Sequence, residues 1–423
     1  VASLAETVEK GLENESLQQL FNFFSNSRPR LDAAFREKEC SALSTLASHL
    51  PVRLAAQPLC VTARPHSAAS GAPVETTLDG LAPQRYDSNP LMWPAQVEPR
   101  VSLPATAHAV NGPRITGVFN PGAAVVHAGD GSKSIGILFR MYDAAEGKSY
   151  IGLATSRDGS SIDRIAPQPA IAPTLPEEAR GVEDARVTYL PDEKQYAITY
   201  TGYSDAGACV CLITTPDLLD PSKYTKHGKI LEATNKNTVI FPEKVNGKYA
   251  MLHRPHPNIA LAYADSLTGP WRTEDSHIVL RPQPGTWRSG RVGAGAPPIK
   301  TESGWVLPFH GARNVEEGND YSMGWLVLDL QDPSRVKYVS EHPALAATAP
   351  YERFDGPQSE IPQLDLQNFP HGVKVVFPEG LLDMGDKLVV IYGGGDVNTC
   401  SAWMPKDGFL NSLRAAVEAT PPA

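Results

Sequence analysis

The run Gly181-Val182-Glu183-Asp184-Ala185-Arg186-Val187-Thr188 sets two carboxylates and a guanidinium side by side between a glycine and the start of an alternating strand pattern. On an extended segment, alternation predicts that Glu183 and Ala185 face one way and Asp184 and Arg186 the other, so Asp184 and Arg186 would serve one polar cleft. Charges at this density are seldom buried unpaired. A surface salt bridge at a strand end is the plain alternative, and the recurrence of similar clusters argues against it. Asn120-Pro121-Gly122 reads as a turn before an alanine and valine strand, and Arg140, Tyr142 and Asp143 end the next strand. Downstream come Asn235-Lys236-Asn237, Phe241-Pro242-Glu243-Lys244, Leu252-His253-Arg254-Pro255, the stretch from Gly293 to Lys300, Phe309-His310-Gly311, Phe377-Pro378-Glu379-Gly380 and Tyr392-Gly393-Gly394-Gly395-Asp396. Acids able to protonate a departing oxygen, beside bases able to hold an anion, suggest transfer of a glycosyl group to phosphate.

Such residues need a frame that gathers many strand ends at one place. After Phe119 the chain consists of short apolar runs broken by Gly, Pro, Asp and Asn, which predicts many short strands. Segments ending in Asp158, Asp217, Asp265 and Asp332 recur at intervals that fit four antiparallel strands with their loops. The expected fold is all-β, a five-bladed β-propeller over residues 106–423 whose ligand site lies at the mouth of the central channel. Ahead of it, helical spacing over residues 4–28 and 31–50 predicts an N-terminal helical extension (1–50), and the Pro-, Ser-, Ala- and Thr-rich residues 51–105 read as a connecting strap that includes one strand. The helices suit an oligomer interface or the acceptor end of the cleft.

Composition removes several function classes. The 423 residues carry a formal charge of -9, which gives no help in binding a nucleic-acid backbone. No apolar stretch reaches the roughly 20 residues of a membrane span, and the N-terminal residues lack the basic patch and apolar core of a secretory signal. Cys40, Cys60, Cys209, Cys211 and Cys400 form neither a disulfide framework nor a paired metal motif, which predicts reduced thiols in the cytoplasm. Cys209 and Cys211 are expected on one strand face as small hydrophobes. The glycine-rich stretches lack the strand-to-helix context of nucleotide-binding loops, and no metal site is expected.

In matching order over about residues 110 to 405, Asn120-Pro121-Gly122-Ala123, Gly181-Val182-Glu183-Asp184-Ala185-Arg186, Phe241-Pro242-Glu243-Lys244, Leu252-His253-Arg254-Pro255, Ala296-Pro297-Pro298-Ile299-Lys300, Phe309-His310-Gly311 and Tyr392-Gly393-Gly394-Gly395-Asp396 resemble glycoside hydrolase family 130, the five-bladed β-mannoside phosphorylases and β-mannosidases. The alanine- and proline-rich flanks resemble the trypanosomatid members that make and degrade β-1,2-mannan. One departure lies in the motif itself, where Ala185 replaces the family's usual proline.

The resemblance implies that Asp184 is the general acid of an inverting β-1,2-mannoside phosphorylase. Phosphate would attack the β-mannoside, release α-mannose 1-phosphate and serve as co-substrate with no other cofactor. In many members the proton passes through the mannose 3-hydroxyl. It further implies phosphate binding by Arg254 and Lys300, with Asn235, Lys236, His310 and Tyr321, and sugar binding by Asn120, Arg140, Asp143, Arg186 and Asp396. Because phosphorolysis starts from a protonated acid, a dry channel or the neighbouring Glu183 is expected to raise the Asp184 pKa. The rivals are an inverting β-mannosidase with Glu243, Glu302 or Glu379 as base, a mannosyltransferase using a nucleotide-sugar donor, and a noncatalytic mannoside-binding propeller.

Overall fold

Alternation within single strands organises the molecule. In Lys133–Asp143 the side chains of Ile135, Ile137, Phe139 and Met141 enter one core, while Leu138 enters another on the opposite face. Both faces of this strand are therefore buried, which explains its nearly continuous apolar sequence. The computed structural model describes residues 78–106, 108, 112–127, 131–231, 234–315, 318–354 and 373–420. The helices expected over residues 4–28 and 31–50, and the first part of the strap, lie outside the described residues.

Among the described residues the fold is mostly β, with few helices. Its strands fall into five successive antiparallel quartets. The first comprises Ile115–His127, Lys133–Asp143, Lys148–Ser156 and Arg164–Ile165, and the second Gly181–Leu190, Gln195–Ser204, Gly207–Thr215 and Thr225–Leu231. The third is Val239–Ile240, Tyr249–His253, Ile259–Ala264 and His277–Leu280. In the fourth, Arg291–Ala294 and Ile299–Thr301 both pair with Gly304–Val315, followed by Gly318–Leu328 and Val336–Val339. The fifth runs Val373–Asp383, Lys387–Gly394 and Asn398–Pro405, and its fourth strand is Gln84–Arg85, from the described end of the strap. Asp158, Asp217, Asp265 and Asp332 all follow the third strand of a quartet.

Each quartet is tied to the next. Ser149 pairs in parallel with Gly181, Thr199 donates to the Thr238 carbonyl, the Val292 amide donates to Pro257, and Asn319–Tyr321 pair in parallel with Val373–Val375. The last quartet returns to the first, since the Val118 amide donates to the Val397 carbonyl and Thr399 Oγ1 to the Val118 carbonyl. Five hydrophobic cores lie between neighbours, the fifth-to-first core also taking in Leu91, Met92 and Val97. The final helix, Lys406–Ala419, seals the fourth-to-fifth core with Phe409 and Leu413. Cys209 and Cys211 do share a strand face, their sulfurs 3.8 Å apart, and pack in one core. No helix among the described residues is long and apolar enough to cross a membrane.

A repeated carboxylate bracket marks equivalent places in the second and fifth quartets. Thr174-Leu175-Pro176-Glu177-Glu178 and Thr348-Ala349-Pro350-Tyr351-Glu352 each form a short turn that folds a buried glutamate back onto two preceding amides. Glu178 also receives the Tyr200 hydroxyl and Lys226, and Glu352 the Tyr392 hydroxyl and Arg85. The tyrosine comes from the second strand and the base from the fourth in both cases, so Arg85 stands where Lys226 stands.

Candidate active site

The first strands of the quartets converge, and three of them break their alternation at the same level. Register shifts interrupt Ile115–His127 between Phe119 and Gly122, Gly181–Leu190 between Glu183 and Arg186, and Val373–Asp383 between Pro378 and Gly380. Such bulges re-aim side chains. Asn120-Pro121-Gly122 is therefore a bulge inside a long strand and not the expected turn. Asn120 and Asp184 adopt φ of 47° and 55°, as do Asn237 (53°) and Asp396 (58°) at neighbouring positions, a region that asparagine and aspartate tolerate best among residues with a side chain. The bulge also cancels the simple alternation expected for the motif, because Glu183 and Asp184 now reach the same arginine.

Gly122 makes the approach possible: a methyl group there would fall within the Ala185 carbonyl. Gly122→Ala is expected to cost about 1–3 kcal/mol from overpacking and to lower turnover by pushing on the Asp184 bulge. Chemical denaturation and initial rates check both effects, and an unchanged midpoint would deny the contact its importance.

Asp184 Oδ1 accepts from Asn120 Nδ2 at 3.0 Å and from Arg140 Nη1 at 3.2 Å. Arg140 binds Glu183 through Nη2 at 2.9 Å and Ser149 through Nε, and lies over the Phe119 ring. Lys236 Nζ reaches the other Glu183 oxygen at 3.3 Å. Burial alone would raise the Asp184 pKa, but Arg140, Arg186 and Lys236, with the Asn120 hydrogen bond, outweigh it and hold the carboxyl below its usual range. The expected rise is thus reversed in the unliganded protein. Beside this group, burial pushes Asp396 up to about 6 against the pull of Arg140, with the Asp184 charge adding to the rise.

A cationic wall adjoins the acid. Arg254 has its backbone amide fixed by Asn235 Oδ1 and the Lys236 carbonyl, and its buried Nε has no hydrogen-bond partner. Burial lowers its pKa, and Tyr321, Arg291, Arg186 and Asp184 stand around it. Arg291 Nε donates to the Tyr321 hydroxyl at 2.7 Å. His310 is fully buried, packs on Phe377, and has no hydrogen-bond partner at either ring nitrogen among the described residues. Burial, then Arg254, Arg186 and Arg291, keep it neutral by driving its pKa well below the usual histidine value. Asn235 acts from behind, holding Lys236 and Arg254 while its amide contacts the buried His253, whose other nitrogen meets Ser276.

The structure therefore gathers Asn120, Arg140, Asp184, Asn235, Lys236, Arg254, His310, Tyr321 and Asp396. Three expected residues do other work. Lys300 lies half-exposed on the outward part of the interrupted strand, 2.5 Å from Glu243, so it does not join the anion wall. Asp143 gives both oxygens to Arg114 at 2.9 and 2.6 Å. Arg186 is buried and used internally: Nη1 binds the Asp184 carbonyl, Nε the Gly295 carbonyl, and Nη2 lies 2.7 Å from Glu379. Among the carboxylates weighed as a hydrolytic base, Glu243 pairs with Lys300, and Glu302 is exposed and pairs with Arg414. Glu379 is fully buried, and burial holds its pKa well above the carboxylate range despite Arg186.

A family model described as beta-1,4-mannooligosaccharide phosphorylase, that of glycoside hydrolase family 130, matches residues 84–415. The chain belongs to glycoside hydrolase family 130. Its family-130 relatives include a 1,2-beta-oligomannan phosphorylase of a Thermoanaerobacter species, 37% identical over 251 residues that make up 59% of this chain and 76% of the relative. Another is the beta-1,2-mannobiose phosphorylase of Listeria innocua, 35% identical over 63% of this chain and 69% of the relative. The solved structure of the Listeria innocua enzyme with beta-1,2-mannobiose superposes with a TM-score of 0.63 at 28% identity, covering 78% of this chain and 99% of that one. This family-130 chain is thus a glycosyl-transferring enzyme.

Two residues beside this cluster, Arg291 and Asn237, were not among the expected binding residues, although Asn237 lies in the Asn235-Lys236-Asn237 run. Arg291 opens the first strand of the fourth quartet, two residues before Gly293, whose missing side chain leaves room for His310. That spacing, a base and a glycine on one strand face, was its available signal. Asn237, in left-handed conformation with a buried, unpartnered Oδ1, lies near the same glycine.

Proposed function

We propose that this enzyme is an inverting β-1,2-mannoside phosphorylase, built as a five-bladed β-propeller and working on β-mannooligosaccharides with inorganic phosphate as co-substrate. One observation carries the reading: Arg254, with no acidic partner among the described residues, stands with Arg291, Tyr321 and neutral His310 beside an Asp184 held among bases. Water needs no such cationic wall, whereas a phosphate nucleophile does. The five quartets, their inter-sheet cores and the return of the last quartet to the first support the propeller. The free thiols of Cys209, Cys211 and Cys400 support a reducing, cytoplasmic setting.

In phosphorolysis, phosphate held by Arg254 and Arg291 attacks the anomeric carbon as its bond to the glycosidic oxygen breaks, and the Asp184 proton goes to that oxygen, directly or through a sugar hydroxyl. The products are α-mannose 1-phosphate and a shortened sugar, and Asp184 is left as a carboxylate stabilised by Arg140, Lys236 and Asn120. In synthesis that carboxylate takes the acceptor proton. The lowered pKa of the free protein suits this second role. Arriving phosphate offsets the surrounding positive charge and raises the Asp184 pKa, so binding the nucleophile loads the acid. The test is incubation of purified protein with β-1,2-mannobiose and longer mannooligosaccharides, with and without phosphate, with products identified by NMR. Phosphate-dependent α-mannose 1-phosphate is expected. Phosphate-independent mannose would make the enzyme a hydrolase.

A further inference from the structure

Four large hydrophobic side chains of the described residues stand exposed, Trp93, Tyr189, Tyr203 and Tyr263. Tyr189 packs on Tyr196 at the far end of its hairpin. Tyr203 instead occupies the end nearest the acid, where it pairs with Gly181 while Thr201 pairs with Glu183. Tyr203, Thr201 and Glu183 thus share one face of the hairpin, with the tyrosine about 7 Å further along. Burial falls in that direction, from 1% exposed at Thr201 to 36% at Tyr203. Opposite the ring, Gly181 has φ of 128°, and a side chain there would meet the Ser149 amide at 2.7 Å, so nothing from the paired strand covers the tyrosine. Lys236 connects the ring to the acid cluster, with Nζ 5.9 Å from the ring centre and 3.3 Å from Glu183.

We infer that Tyr203 is an acceptor platform, stacking against the apolar face of the pyranose on the leaving-group side of the scissile bond. This rests on the phosphorylase reading of the site. An aromatic ring offers a rigid apolar face with a polar tip, suited to a sugar whose C–H face is apolar and whose rim is hydroxylated. Lys236 lies between ring and acid, where it can donate to that rim. The platform would favour a sugar acceptor over water or a small alcohol.

The experiment measures synthesis from α-mannose 1-phosphate with mannose and β-1,2-mannobiose as acceptors, and phosphorolysis of the same oligosaccharides. Tyr203→Ala should raise the acceptor KM about tenfold or more, with the KM values for phosphate and α-mannose 1-phosphate within about twofold of the parent. Tyr203→Phe should stay near the parent, because stacking uses the ring. Tyr203→Leu retains bulk without a ring and carries the same expectation as alanine if the alanine variant does not fold. An unchanged acceptor KM, or an equal rise in every KM, overturns the platform. If the parent enzyme makes no α-mannose 1-phosphate, the phosphorylase reading fails instead. Calorimetric binding of β-1,2-mannobiose to parent and Tyr203→Ala then judges the platform by itself, equal affinities rejecting it.

Discussion

Asp184→Asn is expected to fold as the parent does and to lose between about 10² and 10⁴ in kcat in both directions, the range of a positioned general acid or base. Asparagine keeps the shape of the side chain and tolerates the left-handed φ of 55° at this position. Its carbonyl oxygen still accepts from Asn120 and Arg140, so the bulge keeps its contacts. Arg140 and Lys236 retain Glu183 as partner. What disappears is the proton for the departing oxygen in phosphorolysis and the base for the acceptor in synthesis. One substitution must therefore suppress both reactions alike. Thermal denaturation with product analysis in each direction checks this; turnover within a few-fold of the parent would pass the acid role to another group, Glu379 first, because burial pushes its pKa up.

Arg254→Ala should reduce kcat/KM for phosphate by about 10²-fold, as loss of charge-assisted hydrogen bonds to an anion implies, while mannoside binding changes little. Two acceptors fix its backbone amide, and its buried Nε has no partner among the described residues, so a bond from that nitrogen to phosphate would break no existing contact. Lys300→Ala supplies the contrast. Its ammonium is half-exposed and committed to Glu243, and phosphate kinetics should remain within about twofold of the parent. A larger loss from Lys300 than from Arg254 would overturn the assignment of the anion wall to Arg254. Varying phosphate at saturating mannooligosaccharide separates the cases.

Those two basic residues also show where the sequence was legible. Arg254 follows directly from the end of a strand, so the prediction of strand ends was enough to place it. Lys300 lies only a few residues after Gly293, but the chain leaves the convergent strand after Ala294 and continues outward before resuming at Ile299. At that interruption the chain passes so close to Pro308 and Pro378 that a side chain at Gly295 would meet their carbonyl oxygens at 2.6 and 2.8 Å, contacts distant in sequence. Similarly, the carboxylates of Glu183 and Asp184 were visible as a functional pair, but their common orientation depends on the register of Gly181–Leu190 against Gln195–Ser204. A one-residue irregularity there changes which face each side chain serves. The two Thr-x-Pro-x-Glu turns were readable as a repeat, but their basic partners lie 48 residues after Glu178 and 267 before Glu352, so spacing alone could not place the fourth strands.

The bracket around Glu352 bears on how the chain reaches this fold. Arg85, made early during synthesis, binds Glu352 at 2.7 Å, and its strand pairs with Ala402 and Trp403 near the other end of the described chain. The first four quartets are each built from contiguous sequence and can form as the chain emerges. The fifth has to wait for its partner in time as well as in space. Until residues 398–405 leave the ribosome, Gln84–Arg85 has no strand to join, and the first quartet's outer face, with Met92 and Val97 beside it, lacks the sheet that covers it. Long-range pairing of this kind is slow to form and leaves apolar surface exposed meanwhile. That apolar face therefore stays open until the fifth sheet, with Leu382, Val389 and Ile391, closes over it, and the Arg85–Glu352 pair then joins the early strand to the late one.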